Sequence, residues 1–243
     1  MEAHAGGKML RQGFRRLTKD AGQNAVSAEK FFEVQENVRQ NVYDRGRRDE
    51  RMTKEEAGGF SADYCVLDTE TTGLSAARDA VIEIGMLRVR QHEIVAEYSQ
   101  IIQPGRRIDP FITRLTGITN EMTEGMPRMR EVEDEVMAFL GEDVIVGHNI
   151  SFDIRFLQAG FGHRLPNRCV DTVKLSRRLY PELPKHSLSA LVAHLGLSHN
   201  AHRSLADCVA TKELYEVMRQ KAAAEHWTPE ELWCPQAGHR RRF

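Results

Sequence analysis

No apolar run in the sequence approaches the ~20 residues needed to cross a bilayer, so it predicts no membrane span. Cysteine is scarce. Cys65, Cys169, Cys208 and Cys234 lie far apart with no CxxC pair. That spacing excludes a disulfide framework and predicts reduced thiols in a cytoplasmic protein, three of them in the core. Cys234 and His239 are too few ligands for a zinc site. Net positive charge is also missing, since 34 Lys and Arg meet 35 Asp and Glu for a balance of −1. A protein that coats long stretches of phosphate backbone is thereby disfavoured, but an enzyme that grips a few nucleotides is not. Residues 1–20 contain no long apolar core and no serine, which predicts a basic solvated arm rather than a secretory or transit signal. No internal repeat is visible.

The chain does have material for a core, with 41% hydrophobic and 28% charged residues. Residues 1–59 read as a charged arm, partly helical or flexible, with a modest stripe of Phe31, Val34 and Val38. A folded domain is expected over 60–221 and a tail over 222–243. "YCVL", "AVIEIGMLRVR" and "EIVAEYSQIIQP" read as strands, the last two paired through a turn at Gln91 and His92. "DPFITRLTGITNEM" reads as a loop with one short helix. "MREVEDEVMAFLG" has helical spacing at Val132, Val136 and Leu140. "DVIVGHNISFDIRFLQAG" and "RCVDTVKLSRRLY" each run from strand to helix, and two further helices follow. Strands first, then strands alternating with helices, predict an α/β domain with a mixed β-sheet flanked by helices.

Acids in "VLDTETTGL" demand an explanation. Asp68 and Glu70 leave the same face of a strand, continuing the row Tyr64 and Val66. Like charges held so close repel, and burial makes each costlier. Asp153 falls in the first turn of a helix, capped at Ser151, where the dipole alone would justify an acid. Asp207 lines up with Ala210, Leu214 and Met218 on the stripe of the last helix that faces the core. Arg203, four residues earlier, offers the bland explanation of a salt bridge to Asp207. A joint explanation is that all four carboxylates converge outside the carboxyl ends of the strands and are held by hard divalent cations. Two such ions serve in-line displacement at phosphorus. His202, just before the helix that bears Asp207, can take a proton from the attacking water.

In this order, "DTETTGL", "HNISFD" and "HRSLAD" resemble the three motifs of the DEDDh family of 3′→5′ exonucleases, within the ribonuclease H-like superfamily. His five residues before Asp207 marks the histidine subclass, and "ITRLTGIT" is similar to a loop of the proofreading, epsilon-type exonucleases of bacterial DNA polymerase III. The resemblance covers roughly residues 61–220 and implies a ribonuclease H-like sheet. It implies two Mg²⁺ ions, which Mn²⁺ can replace, held by Asp68, Glu70, Asp153 and Asp207, with His202 as the base. Thr69, Thr71, Thr72, Gly73 and Leu74 would hold the terminal nucleotide together with His148 and Asn149, and Phe152 would lie against a base or else start a helix in the core.

The implied activity is hydrolysis from the 3′ end of DNA, single-stranded or frayed, releasing nucleoside 5′-monophosphates in proofreading or repair. The alternatives are trimming of RNA 3′ ends and, with all five residues against it, an inactive binding module. The N-terminal arm is extra, and the tail lacks a Gln followed by the spaced aliphatic and aromatic residues of a sliding-clamp motif. A free-standing enzyme and a partner of a DNA polymerase or repair complex both stay open, as does the oligomeric state.

Overall fold

The computed structural model describes residues 61–197 and 203–225. The expected arm, the residues after 225, Cys234 and His202 lie outside the described residues. Three strands come first: β1 (Tyr64–Thr71), β2 (Val81–Arg90) and β3 (Glu93–Ile101). Two short helices follow, α1 (Pro110–Thr116) and α2 (Asn120–Thr123), where the sequence predicts one. Gly117 divides them with φ 74°, a left-handed conformation that glycine adopts without strain. A 3-10 turn (Met129–Val132) leads into α3 (Glu133–Leu140), and then strands and helices alternate. They are β4 (Val144–Gly147), α4 (Ser151–Phe161), β5 (Cys169–Asp171), α5 (Thr172–Leu179), α6 (Leu188–Leu195) and α7 (Ser204–Ala224). The expected domain boundary at 221 falls inside α7, where Ala222 is buried.

The five strands form one mixed sheet in the order β3-β2-β1-β4-β5. β1 is antiparallel to β2 and parallel to β4, so it is the central strand. Its apolar residues are buried because both faces of the sheet are covered, and a continuous apolar run is the sequence mark of such a strand. Cys65 and Leu67 face one core, built with Val136, Phe139 and Leu140 of α3 and Phe156 and Leu157 of α4. Tyr64 and Val66 face the other, with Leu175 of α5, Leu191 of α6 and Leu214, Tyr215 and Met218 of α7. Cys65, Cys169 and Cys208 are buried, as expected. Gln91 and His92 make the tight β2–β3 turn with φ 48° and 71°.

One detail of register positions the site. β1 pairs with β4 only from Tyr64 to Val66, while it continues alongside β2 to Thr71. Beyond Val66 the β4 side of the central strand is therefore open. The start of α4 fills that opening. No helix among the described residues is long and apolar enough to cross a membrane.

Candidate metal centre

The central strand carries Asp68 and Glu70 out of the core on the face covered by α7, continuing the row of Tyr64 and Val66. Their partners across β2 are Gly85 and Glu83. A Cβ at Gly85 would lie 2.5 Å from the Ser204 carbonyl carbon and 2.6 Å from the Leu205 nitrogen, so only glycine admits the start of α7 so near the sheet. Asp207, in the first turn of that helix, thereby meets the strand acids. One carboxylate oxygen from each of Asp68, Glu70 and Asp207 lies within 4.8 Å of the others.

Asp153 arrives from the opposite face. The helix that bears it starts one residue earlier than the expected Ser151 cap would allow. Asn149 is left-handed (φ 62°), and Ile150 is already helical. Asp153 is 3% exposed, and its Oδ1 accepts both the Thr69 N–H (3.0 Å) and the Thr69 hydroxyl (2.7 Å). It therefore takes a β1 N–H in the opening beyond the last β4 pair.

Burial, then the charges of Asp153, Asp207 and Glu70, push the Asp68 carboxyl well above the usual carboxylate range. Burial first and Asp207 second push Glu70 up to about 7. Burial pushes Asp153 up to about 7, against the lowering effect of the Thr69 hydrogen bonds. A set of acids that opposes its own ionisation, offering only carboxylate oxygens, fits a hard divalent cation. Asp68, Glu70 and Asp207 are spaced to hold one.

Of the other predicted residues, those of the loop after β1 and of the segment before α4 are described. Thr69 and Thr71 are buried, and the Thr71 hydroxyl donates to the Gly73 carbonyl at 2.6 Å. Thr72 pairs with Ala80 through its backbone N–H (2.8 Å) and accepts the Ala80 N–H on its hydroxyl (3.0 Å). Gly73 packs on Asp79, which accepts the Ser75 N–H at 2.9 Å. These bonds brace the loop internally and leave Leu74 87% exposed at its tip. Phe152 is half-buried at the margin of one core, its ring 4.8 Å from that of Phe156. His148 bonds the Thr172 hydroxyl at 2.9 Å, and the Asn149 N–H donates to Asp171.

The bland alternative for Asp207, a salt bridge from Arg203, is not what Arg203 makes. Its Nε and Nη2 donate instead to the Glu83 carboxylate, at 3.1 and 2.7 Å to Oε1. Arg203 is the last residue before the helix, with extended backbone at φ −138°, so its side chain does not follow the helical i,i+4 direction. Glu83 is a fifth acid at this centre, and none of the three motifs contains it. The signal was a lone charge in the otherwise apolar run "AVIEIGML".

Against known families, the Exonuclease (RNase T) family model matches residues 65–215. The chain belongs to this exonuclease family.

Its relatives include the DNA polymerase III PolC-type proteins of Latilactobacillus sakei, 40% identical over 172 residues, and of Clostridium perfringens, 40% identical over 170. Each match covers 68% of this chain, which spans only 12% of the length of either polymerase. Among solved structures, Exonuclease X in complex with 5′ overhanging duplex DNA is 30% identical with a TM-score of 0.58, covering 70% of this chain and 96% of that one. E. coli Exonuclease I in complex with a dT13 oligonucleotide superposes with a TM-score of 0.60 at 18% identity, covering 68% of this chain and 42% of that one, a likeness of fold. The fold of this exonuclease domain is the ribonuclease H-like one.

Proposed function

We propose that the chain is a two-metal 3′→5′ exodeoxyribonuclease that releases nucleoside 5′-monophosphates from DNA 3′ ends in proofreading or repair. The observation that carries the reading is the approach of Asp68, Glu70 and Asp207 within 4.8 Å, with buried Asp153 reaching the same strand from the other face. Asp68 would be shared between two Mg²⁺ ions, Glu70 and Asp207 would complete one shell, and Asp153 would serve the other. When bound, such ions offset the carboxylates and stabilise charge that develops on the phosphoryl group.

The residues of the chain do the rest. Leu74, exposed at the loop tip, and the open side of Phe152 would bear on the terminal bases, with His148 and Asn149 nearby in sequence. The backbone around Glu70 to Thr72, with Gly73 and Leu74, would hold the last nucleotide, its braced loop limiting the conformational freedom lost on binding. His202 would take the proton of the attacking water. The bond between phosphorus and the 3′ oxygen of the penultimate nucleotide then breaks, and the phosphate leaves on the 5′ oxygen of the released one.

The catalytic domain would run from about residue 60 through the end of α7 at Ala224, with 1–59 and the residues after α7 as additions. The PolC-type relatives favour DNA as substrate and a polymerase complex as partner, with a repair complex as the alternative. The buried reduced thiols suit the cytoplasm. Digestion of 5′-labelled single-stranded DNA, duplex DNA and RNA, with Mg²⁺, Mn²⁺ or chelator, tests the reading. The expected result is a ladder on DNA that shortens from the unlabelled end and disappears with chelator. Cleavage that survives chelation, or products shortened from the labelled end, would overturn it, and a ladder on RNA alone would move the enzyme to RNA trimming.

A further inference from the structure

Glu83 is 1% exposed, yet it stands directly across the sheet from Glu70, on a face already crowded with acids. A buried carboxylate costs several kcal/mol unless it is paired and hydrogen-bonded. Glu83 has both kinds of partner, and both belong to the start of α7. Arg203 holds it through two nitrogens, and the Ser204 N–H donates to its Oε2 at 3.0 Å. The start of α7 has no side-chain cap of its own, so a strand carboxylate does that work from 120 residues away.

The link continues to the metal centre. The Arg203 carbonyl accepts the Asp207 N–H at 3.0 Å, the first hydrogen bond of the helix. Asp207 thus depends on Arg203 through its backbone, Arg203 depends on Glu83 through its side chain, and Glu83 shares a register position with Glu70. Arg203 also follows His202 directly in the chain. Below this anchor, Gly85 fixes how near the helix sits. Farther along, the Tyr64 hydroxyl donates to Glu216 at 2.6 Å and Arg219 pairs with Glu216, so α7 is held at a second point.

We infer that Glu83 is a positioning residue for the exonuclease site. Gripping Arg203 and Ser204, it sets the distance between Asp207 and the strand acids Asp68 and Glu70, and touches neither metal nor substrate itself. A side chain that serves stability alone has no need to pair in register with one candidate ligand and bond the start of the helix that bears another. An apolar residue at 83 would fill the same buried space without adding charge to an acidic face.

The inference rests on the metal-dependent reading above, and one set of measurements separates the two. Mn²⁺ binding by calorimetry, turnover on a DNA oligonucleotide and metal-free melting are compared for wild-type, Glu83→Gln and Arg203→Met. The expected result is Mn²⁺ affinity lowered ~10–100-fold in Glu83→Gln, the range for outer-shell partners of metal ligands. kcat should fall as well, while KM for the oligonucleotide changes little. Arg203→Met, at a half-exposed side chain, should shift both in the same direction, and it carries the test if Glu83→Gln does not fold. Variants that bind Mn²⁺ and turn over like wild-type while melting lower would overturn the inference and leave the metal reading intact. Absence of Mn²⁺ binding in the wild-type would overturn the metal reading and this inference with it.

Discussion

Thr69 donates both its backbone N–H and its hydroxyl to a single oxygen of Asp153, at 3.0 and 2.7 Å. This double donation joins the central strand to α4 where β4 has stopped pairing. It also steadies a carboxylate that burial would otherwise neutralise, because both bonds favour the charged form.

Thr69→Val keeps the shape of the side chain and removes one of those bonds. Asp153 then becomes harder to ionise, so the acid limb of the pH–rate profile should move to higher pH. Stability should fall by about 1.5–3 kcal/mol, the range for a hydrogen bond to a charged group. An unmoved limb would show that the ionisation of Asp153 does not govern turnover.

Stability of the metal-free protein should fall as pH rises. Glu70 goes from 4.5 to about 7 on folding and Asp153 from 3.8 to about 7, so between those limits the folded state binds more protons than the unfolded chain. Each proton lost through this window destabilises the fold. Melting temperatures of chelated protein should decline from about pH 5 to about pH 8, and Mn²⁺ should recover most of the loss at the upper end. A melting temperature that rises across this range would contradict the electrostatic picture.

Gly85→Ala places a methyl 2.5 Å from a backbone carbon of Ser204. Backbone cannot step aside as a side chain can, so α7 must move off the sheet. Overpacking of this kind costs about 1–3 kcal/mol, to be read from the shift in urea midpoint. Activity should drop further than stability, since Asp207 moves with the helix. A variant that matched wild-type in both would mean the helix has slack at this point.

Much of this centre was legible in the sequence because it lies on regular elements. A strand period of two puts Asp68 and Glu70 on one face, and the helical stripe of Ala210, Leu214 and Met218 carries Asp207 to the sheet. What escaped depends on pairings distant in sequence. Asp153 alone reads as a helix-start acid, because its Thr69 partner is available only where a four-residue β4 runs out. Arg203 reads as a neighbour of Asp207 because spacing ignores that Arg203 is still extended just before α7. Its true partner is 120 residues earlier. The split of the loop after β3 into two helices hinged on the left-handed Gly117, whose conformation its neighbours in sequence do not dictate.

The most direct measurement is Mn²⁺ binding to wild-type and Asp68→Asn protein above neutral pH, by calorimetry, alongside metal-free melting. Removing one charge from a set that repels itself should abolish or severely weaken binding, while the metal-free protein melts at or above the wild-type temperature. Equal binding by the two proteins, or a sharply lower melting temperature in the variant, would contradict the account.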